Sequence, residues 1–202
     1  MKKLIAGVVL GLGLSMTAHG AGDPEAGEAN AGVCAGCHGQ NGAAPVMGAY
    51  PKLAGLGEKY MFQQLQAIRD GDRQIPEMTG LLDDMSDQDL QDLAAYFEQT
   101  DMPVGQASEE NLEQGRSLYK GGNLASGVAA CAACHNPQGK GNGPAGYPHL
   151  GGQNAEYVIK SLQAYRAGER DGAPQSQIMV DIASRLTDAE IEAVANYISG
   201  LN

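Results

Sequence analysis

Large aromatic residues are scarce in this sequence of 202 residues, which contains no tryptophan and only two phenylalanines. Aromatic side chains usually supply much of the bulk of a core, so a chain of this length must fill its interior in another way. Strand-like alternation of apolar and polar residues is also missing, whereas apolar residues recur with helical spacing. The sequence therefore predicts an all-α fold.

Long apolar segments are absent after the N-terminus, since none approaches the roughly 20 residues that cross a bilayer. The first residues are typical of an export signal: Lys2 and Lys3 precede an apolar run, Leu4 to Leu14, and small residues follow. We expect cleavage after Gly20, or alternatively one residue later. This predicts a signal peptide over residues 1–20 and a mature protein in the bacterial periplasm, with only peripheral membrane contact.

Basic residues are also few, and the formal net charge is −11. The acidic excess is uneven, because residues 21–100 carry a net charge of −9 and residues 101–202 one of −4. Such a chain repels nucleic acids and anionic membranes, and it favours a redox protein partner with a basic docking face. Solubility alone would explain the sign of the charge equally well.

Cysteines are limited to four, and all of them fall into two units, Cys34-Ala35-Gly36-Cys37-His38 and Cys131-Ala132-Ala133-Cys134-His135. Disulfides would be the default in an exported protein. A histidine directly after the second cysteine is instead typical of covalent haem attachment. A zinc site would need a second ligand pair in each half, which is absent. The sequence thus predicts two haem c groups, bound through thioethers of Cys34, Cys37, Cys131 and Cys134, which also supply the missing core bulk.

The histidine of each unit, His38 or His135, is the predicted proximal iron ligand, because the adjacent thioether holds its ring under the iron. Pro51 and Pro148 each follow their histidine by thirteen residues. We expect these prolines to line the proximal side, where a backbone carbonyl would accept the imidazole N–H.

The two units belong to a longer duplication, in which residues 34–73 align with residues 131–170 at a constant offset of 97. Tyr50-Pro51-Lys52-Leu53, for example, matches Tyr147-Pro148-His149-Leu150. Beyond this stretch the offset becomes 101, so four residues are inserted in the second half. A repeat of this length is the size of a domain.

The duplication predicts an N-terminal domain over residues 21–100, a linker over 101–108 and a C-terminal domain over 109–202. A Gly-rich insertion, residues 121–127, precedes the second cysteine pair. Each half is expected to contain a helix before its haem site, a middle helix and a last helix. The capping residues and apolar stripes place these helices from Asp23 towards Cys34, over 58–70 and after Ser86, and again over 109–120, over 154–167 and after Thr187.

Methionines are the candidates for the sixth iron ligand, and after Cys131 the chain contains only Met179. Met179 lies eight residues before Thr187, and Met78 lies eight before the equivalent Ser86. The other methionines of the first half have no methionine counterpart: Met47, Met61, Met85 and Met102. The repeat therefore selects Met78 and Met179, with His149 as an alternative ligand for the second haem. Such imidazole and thioether ligation suits electron transfer.

Several segments resemble the cytochrome c4 family of periplasmic dihaem proteins over nearly the whole mature chain. They are Ala21-Gly22-Asp23, Tyr50-Pro51-Lys52-Leu53-Ala54-Gly55, Glu77-Met78-Thr79-Gly80 and Leu150-Gly151-Gly152-Gln153. The resemblance implies two tandem class I cytochrome c domains that face each other across a pseudo-twofold axis. It also implies Met78 and Met179 as distal ligands, and electron delivery from a quinol-oxidising cytochrome complex to a terminal oxidase or another periplasmic reductase.

Two other function classes compete with a non-catalytic electron carrier. The haem subunit of a sulfide-oxidising flavocytochrome or a thiosulfate-oxidising dihaem enzyme would need a flavin partner or a distal cysteine, but every cysteine here is used in tethering. A gas or redox sensor would need an open iron site, which Met78 and Met179 argue against.

Overall fold

The secondary structure of residues 22–202, which the computed structural model describes, is helical. Only two isolated β-bridges occur in this part of the chain, Asn123 with Val128 and Asn142 with Tyr147. The predicted all-α fold is thereby confirmed. The predicted signal peptide, residues 1–20, and its cleavage site lie outside the described residues.

The N-terminal half begins at the predicted cap, where the side chain of Asp23 accepts the backbone N–H of Glu25 at 2.9 Å. Its helices are α1 (Pro24–Asn30), α2 (Gly32–His38), α3 (Glu58–Arg69) and α4 (Asp87–Glu98), with 3-10 turns at Gln40–Gly42 and Pro76–Met78. The middle and last helices match the prediction to within one residue. The predicted first helix is broken at Ala31, so that α2 carries the cysteine unit.

The C-terminal half has two helices more than the sequence pattern predicts, the short helix that carries the second attachment unit and one before the last helix. Its helices are α5 (Leu112–Gly121), α6 (Ala132–His135), α7 (Ala155–Ala167), α8 (Ser176–Ala183) and α9 (Asp188–Ser199). Helix α5 begins three residues later than predicted, after Asn111 in the left-handed conformation. The unpredicted helix α8 follows Gln175, which has a φ of 64° and provides no side-chain cap. The four inserted residues precede this helix.

The last helix of each half begins with the predicted capping box. Ser86 and Asp89 exchange side-chain and backbone hydrogen bonds at the start of α4, as Thr187 and Glu190 do at the start of α9. One face of each helix is buried, as its stripe predicts: Leu90, Leu93, Ala94 and Phe97 in α4, and Ile191, Val194, Ala195 and Ile198 in α9. These faces form the core of each half.

The first helix of each half crosses the last at a glycine. A Cβ atom built on Gly27 of α1 would lie 2.0 Å from the backbone oxygen of Asp92 in α4. One built on Gly115 of α5 would lie 2.0 Å from that of Ala193 in α9. Only glycine allows this close approach, so the same crossing is built into both halves.

Reciprocal contacts join the two halves. Arg73 donates to the hydroxyl of Tyr157 at 3.3 Å, and Arg170 donates to that of Tyr60 at 2.6 Å. The offset of 97 relates Arg73 to Arg170 and Tyr60 to Tyr157. An interface in which each partner repeats the other's contacts has twofold character, so the pseudo-twofold arrangement is confirmed.

A second set of contacts lies where residues 101–108 pass from one half to the other. The side-chain amide of Gln153 accepts from the backbone N–H of Lys52 and donates to its carbonyl, both at 2.9 Å. The ammonium of Lys52 donates to the carbonyls of Pro103 and Gly152, each at 2.6 Å. The connecting segment is therefore packed against both halves. Within the described residues, no helix combines the length and apolar character that crossing a membrane requires.

Candidate cofactor clefts

A deep cleft in the N-terminal half brings together the predicted site residues of that half. Cys34, Cys37, His38 and Met78 all line it. The rest of its wall is largely apolar and includes Leu53, Leu56, Met61, Leu65, Leu82, Leu93 and Phe97. The matching cleft of the C-terminal half is lined by Cys131, Cys134, His135 and Met179, with Leu118, Val128, Leu150, Val158, Leu162, Leu186, Val194 and Ile198. Each cleft is therefore an apolar slot, and one edge of it carries the side chains that could attach a cofactor or bind a metal.

The four cysteines carry free thiols in the structure, so neither unit is closed by a disulfide. Burial raises the pKa of Cys131 to about 11 and also raises that of Cys34. The thiols of Cys34 and Cys131 are therefore neutral near pH 7 rather than nucleophilic thiolates. Their position at the cleft wall suits a covalent tether.

Both cleft histidines are held in one tautomer by the chain itself. Nδ1 of His38 lies 2.9 Å from the carbonyl oxygen of Pro51, and Nδ1 of His135 lies 3.0 Å from that of Pro148. A carbonyl only accepts, so Nδ1 carries the proton and the lone pair of Nε2 is free to bind a metal. Burial lowers the pKa of both imidazoles, which keeps them neutral. The expected contact between each histidine and a proline carbonyl is confirmed.

The methionines separate into two groups. Met78, in a 3-10 turn, and Met179, in α8, line their respective clefts and are only partly buried. Met61 also lines the first cleft but is buried in the N-terminal core, as Met102 is, and Met47 is 53% exposed. His149 also lines the second cleft, where burial lowers its pKa and the backbone of Gly55 partly offsets that effect.

A cluster of two arginines and two tyrosines lies where the clefts meet. Arg170, Tyr60 and Tyr157 line both clefts. Neither Arg170 nor Arg73 forms a salt bridge with a carboxylate of residues 22–202. Burial by itself would raise the pKa of Tyr157, but the guanidinium groups of Arg170 and Arg73 outweigh it and lower the pKa to about 7. The cluster thus has an excess of positive charge.

This excess fits the anionic groups of a haem. Nε of Arg170 is buried and has no hydrogen-bond partner in the described part of the chain. A buried, unpaired guanidinium N–H is costly unless a ligand group accepts from it. A haem propionate would supply the required charge and lone pairs, so the residues present fit one haem group in each apolar slot. No local motif predicted a role for these arginines and tyrosines, although their repetition in both halves was a usable signal.

Two models of known protein families match the sequence, one in each half of the chain. The family model described as "Cytochrome c" matches residues 113–202. The model described as "Cytochrome C oxidase, cbb3-type, subunit III" matches residues 22–97. Each half of the chain is thus similar to a cytochrome c domain.

Whole-chain relatives give the same result. The chain is 48% identical to cytochrome c4 of Pseudomonas aeruginosa over 100% of both chains. It is 35% identical to a thiosulfate dehydrogenase electron acceptor of Thiomonas intermedia, over 84% of this chain and 78% of that protein. The crystal structure of reduced recombinant cytochrome c4 from Pseudomonas stutzeri is 44% identical and superimposes with a TM-score of 0.86, covering 90% of this chain and 100% of that one.

Proposed function

Because the chain belongs to the cytochrome c4 family of dihaem electron-transfer cytochromes, we propose that it shuttles electrons between separate redox proteins and performs no substrate chemistry of its own. Its two cytochrome c domains each bind a haem c group at a Cys-x-x-Cys-His unit. The haem iron supplies reversible one-electron chemistry. The protein must hold the iron and limit its access to other ligands.

The observation that supports a carrier is that each cleft contains the histidine of its attachment unit together with the methionine that the repeat selects, Met78 or Met179. In this proposal Cys34, Cys37, Cys131 and Cys134 form the thioethers, His38 and His135 are proximal ligands, and Met78 and Met179 are distal ligands. With a histidine and a methionine as ligands, the iron would have no coordination position left for a substrate or gas and would keep the same ligands in both oxidation states. His149 is disfavoured because it follows Pro148, whose carbonyl lies on the His135 side of the cleft.

Spectroscopy of ligand variants tests this assignment. Met179→Ala and Met78→Ala should each remove half of the sulfur-to-iron charge-transfer absorption of the oxidised holoprotein and lower the potential of one haem. Met85→Leu is the matched control, because Met85 is a half-buried methionine packed against the N-terminal core. It should leave the absorption unchanged. Full absorption in Met179→Ala would contradict the assignment and make His149→Ala the next variant to measure.

The proposal also covers the cellular location of the protein and the bounds of its signal peptide, domains and linker. We assign residues 1–20 as a signal peptide, 21–100 and 109–202 as the domains and 101–108 as the linker, with the mature protein in the periplasm. The export-type N-terminus supports this location. Osmotic-shock fractionation with mass spectrometry of the mature N-terminus would test it, and recovery of a full-length chain in the cytoplasm would contradict it.

The proposed donors and acceptors are redox proteins with basic docking faces: a quinol-oxidising cytochrome complex as donor and a terminal oxidase or another periplasmic reductase as acceptor. The acidic charge of the chain supports such partners. The similarity to an electron acceptor of thiosulfate dehydrogenase makes a dehydrogenase of that type a further candidate donor. A carrier should be reduced by thiosulfate only when the dehydrogenase is added. Turnover of thiosulfate or sulfide by the isolated holoprotein would contradict the proposal.

A further inference from the structure

The segments that carry the two cleft methionines differ sharply in charge. Residues 75–86 contain Glu77, Asp83 and Asp84 and no basic residue, whereas the equivalent residues 176–187 contain one acid and one base. That acid and base, Asp181 and Arg185, form a salt bridge at 2.8 Å. In the acidic segment Glu77 pairs with Lys160 at 4.0 Å. Asp83 and Asp84 are exposed and form no salt bridge within the described residues. The two clefts therefore present different electrostatic surfaces.

The same end of the N-terminal half carries an exposed apolar patch, here called the first-cleft patch. It consists of Val33, Val46, Met47 and Leu81, whose exposed fractions are 49%, 65%, 53% and 43%. Val33 and Leu81 line the first cleft together with Cys37. The backbone N–H of Val46 donates to the carbonyl of Cys37 at 3.0 Å. Three members of the patch, Val33, Val46 and Leu81, are therefore connected with the cleft or with its attachment unit.

The C-terminal half lacks this combination of acidic and apolar residues, although Ile178 lines the second cleft and is 42% exposed. The positions equivalent to the patch are Ala130, Gly143, Pro144 and Ile182. Near Ile182, Arg185 donates to the carbonyl of Gly127 in the Gly-rich insertion at 3.4 Å. The position equivalent to Asp84 is therefore occupied by a cation that is bound to the insertion. Of the four positions equivalent to the first-cleft patch, three hold alanine, glycine and proline.

We propose that the first-cleft patch, with Asp83 and Asp84 at its rim, is the docking surface for a redox protein whose cofactor edge is apolar and surrounded by lysine or arginine. This rests on the proposed carrier function. Opposite charges at the rim orient the encounter and speed it. The apolar centre excludes water between the two cofactor edges. An apolar core within a polar rim is the usual arrangement of a protein–protein interface.

The test measures electron entry from a defined probe, a reduced small c-type cytochrome with a ring of lysines around its haem edge. Stopped-flow mixing with the oxidised holoprotein gives second-order rate constants at several ionic strengths. The double variant D83S/D84R gives the first domain the residues of the second. It should lower the rate constant at low salt about tenfold or more and weaken its salt dependence.

The matched control is E109S/E110R, which makes the same change of charge at two exposed residues before α5 that line neither cleft. At an ionic strength of about 0.1 M it should alter the rate constant less than about twofold, since exposed charges more than about 10 Å from the docking surface are then largely screened. For the apolar part, Val46→Ser should slow transfer without changing the salt dependence. Leu124→Ser is its control, because Leu124 is 95% exposed in the Gly-rich insertion.

The outcomes separate the docking surface from the function. Equal slowing by D83S/D84R and E109S/E110R would overturn the docking surface, because net charge alone would then control the rate. No slowing in D83S/D84R would overturn it as well, while electron transfer by the wild type would still support a carrier. Failure of the wild-type haems to accept electrons from the probe would instead contradict the carrier function and the docking surface with it.

Discussion

The crossing of α5 and α9 predicts a large effect of a single methyl group at Gly115. In Gly115→Ala the new Cβ would meet the backbone oxygen of Ala193 at 2.0 Å and the Cβ of Tyr197 at 2.9 Å. Neither atom is the flexible end of a side chain, so the helices must separate. Overpacking of this kind costs up to about 3 kcal/mol, and the helix propensity of alanine offsets about 1 kcal/mol. We expect a net loss of about 2 kcal/mol, or about 8–16 °C in Tm for a domain of this size.

Reversible urea unfolding of the holoprotein, followed by far-ultraviolet circular dichroism, measures this loss. Gly121→Ala is the control, since Gly121 lies in the same helix and a Cβ there would meet nothing within 4 Å. It should raise stability by about 0.4–1 kcal/mol through the unfolded state. The reasoning is refuted if Gly115→Ala is as stable as Gly121→Ala, because α5 and α9 would then not approach so closely.

Three further predictions concern the interface and the caps. Gln153→Ala should destabilise the protein by about 1–3 kcal/mol for each backbone group of Lys52 that the substitution leaves unpaired. Faster proteolysis within residues 101–108 would reveal the looser interface, and an unchanged cleavage rate would contradict this prediction. Thr187→Ala should cost about 1 kcal/mol in urea unfolding, and no loss would show that the capping box is not formed in solution. A hydrogen bond from the backbone of Thr187 lowers the pKa of Glu190. The stabilising contribution of Glu190 should therefore be present above its ordinary pKa near 4.5 and be lost as the pH falls through the lowered value. Glu190→Gln should flatten the acidic part of the plot of stability against pH, and an unchanged plot would refute the assignment.

Local patterns predicted most of the secondary structure because they act through neighbouring residues. The capping boxes at Ser86 and Thr187 require only residues three positions apart, and they mark the starts of α4 and α9 to the residue. Helix α8 was missed because Gln175 provides no capping side chain and its left-handed backbone is not encoded by a glycine. The late start of α5 has the same origin, since Asn111 also adopts a positive φ of 56°.

The cofactor residues likewise divide into those that the sequence selected and those whose arrangement only the structure explains. Alignment of the two halves selected Met78 and Met179, and both line the clefts that contain the attachment units. Their role as iron ligands stays a prediction until the variants are measured. The alignment also paired Arg73 with Arg170 and Tyr60 with Tyr157, but it gave no reason for the repetition. That reason is the reciprocal contact across the interface, which joins residues 84 and 110 positions apart.

The sequence by itself determined that this protein carries two haem c groups on two related helical domains, because a Cys-x-x-Cys-His unit and a repeat are written in consecutive residues. Only the tertiary structure decided that an unpaired guanidinium N–H of Arg170 is buried where the clefts meet, and that the exposed side chains of Val33 and Leu81 line the first cleft with Cys37. Burial and the meeting of surfaces depend on how distant segments pack, and no local spacing encodes that packing.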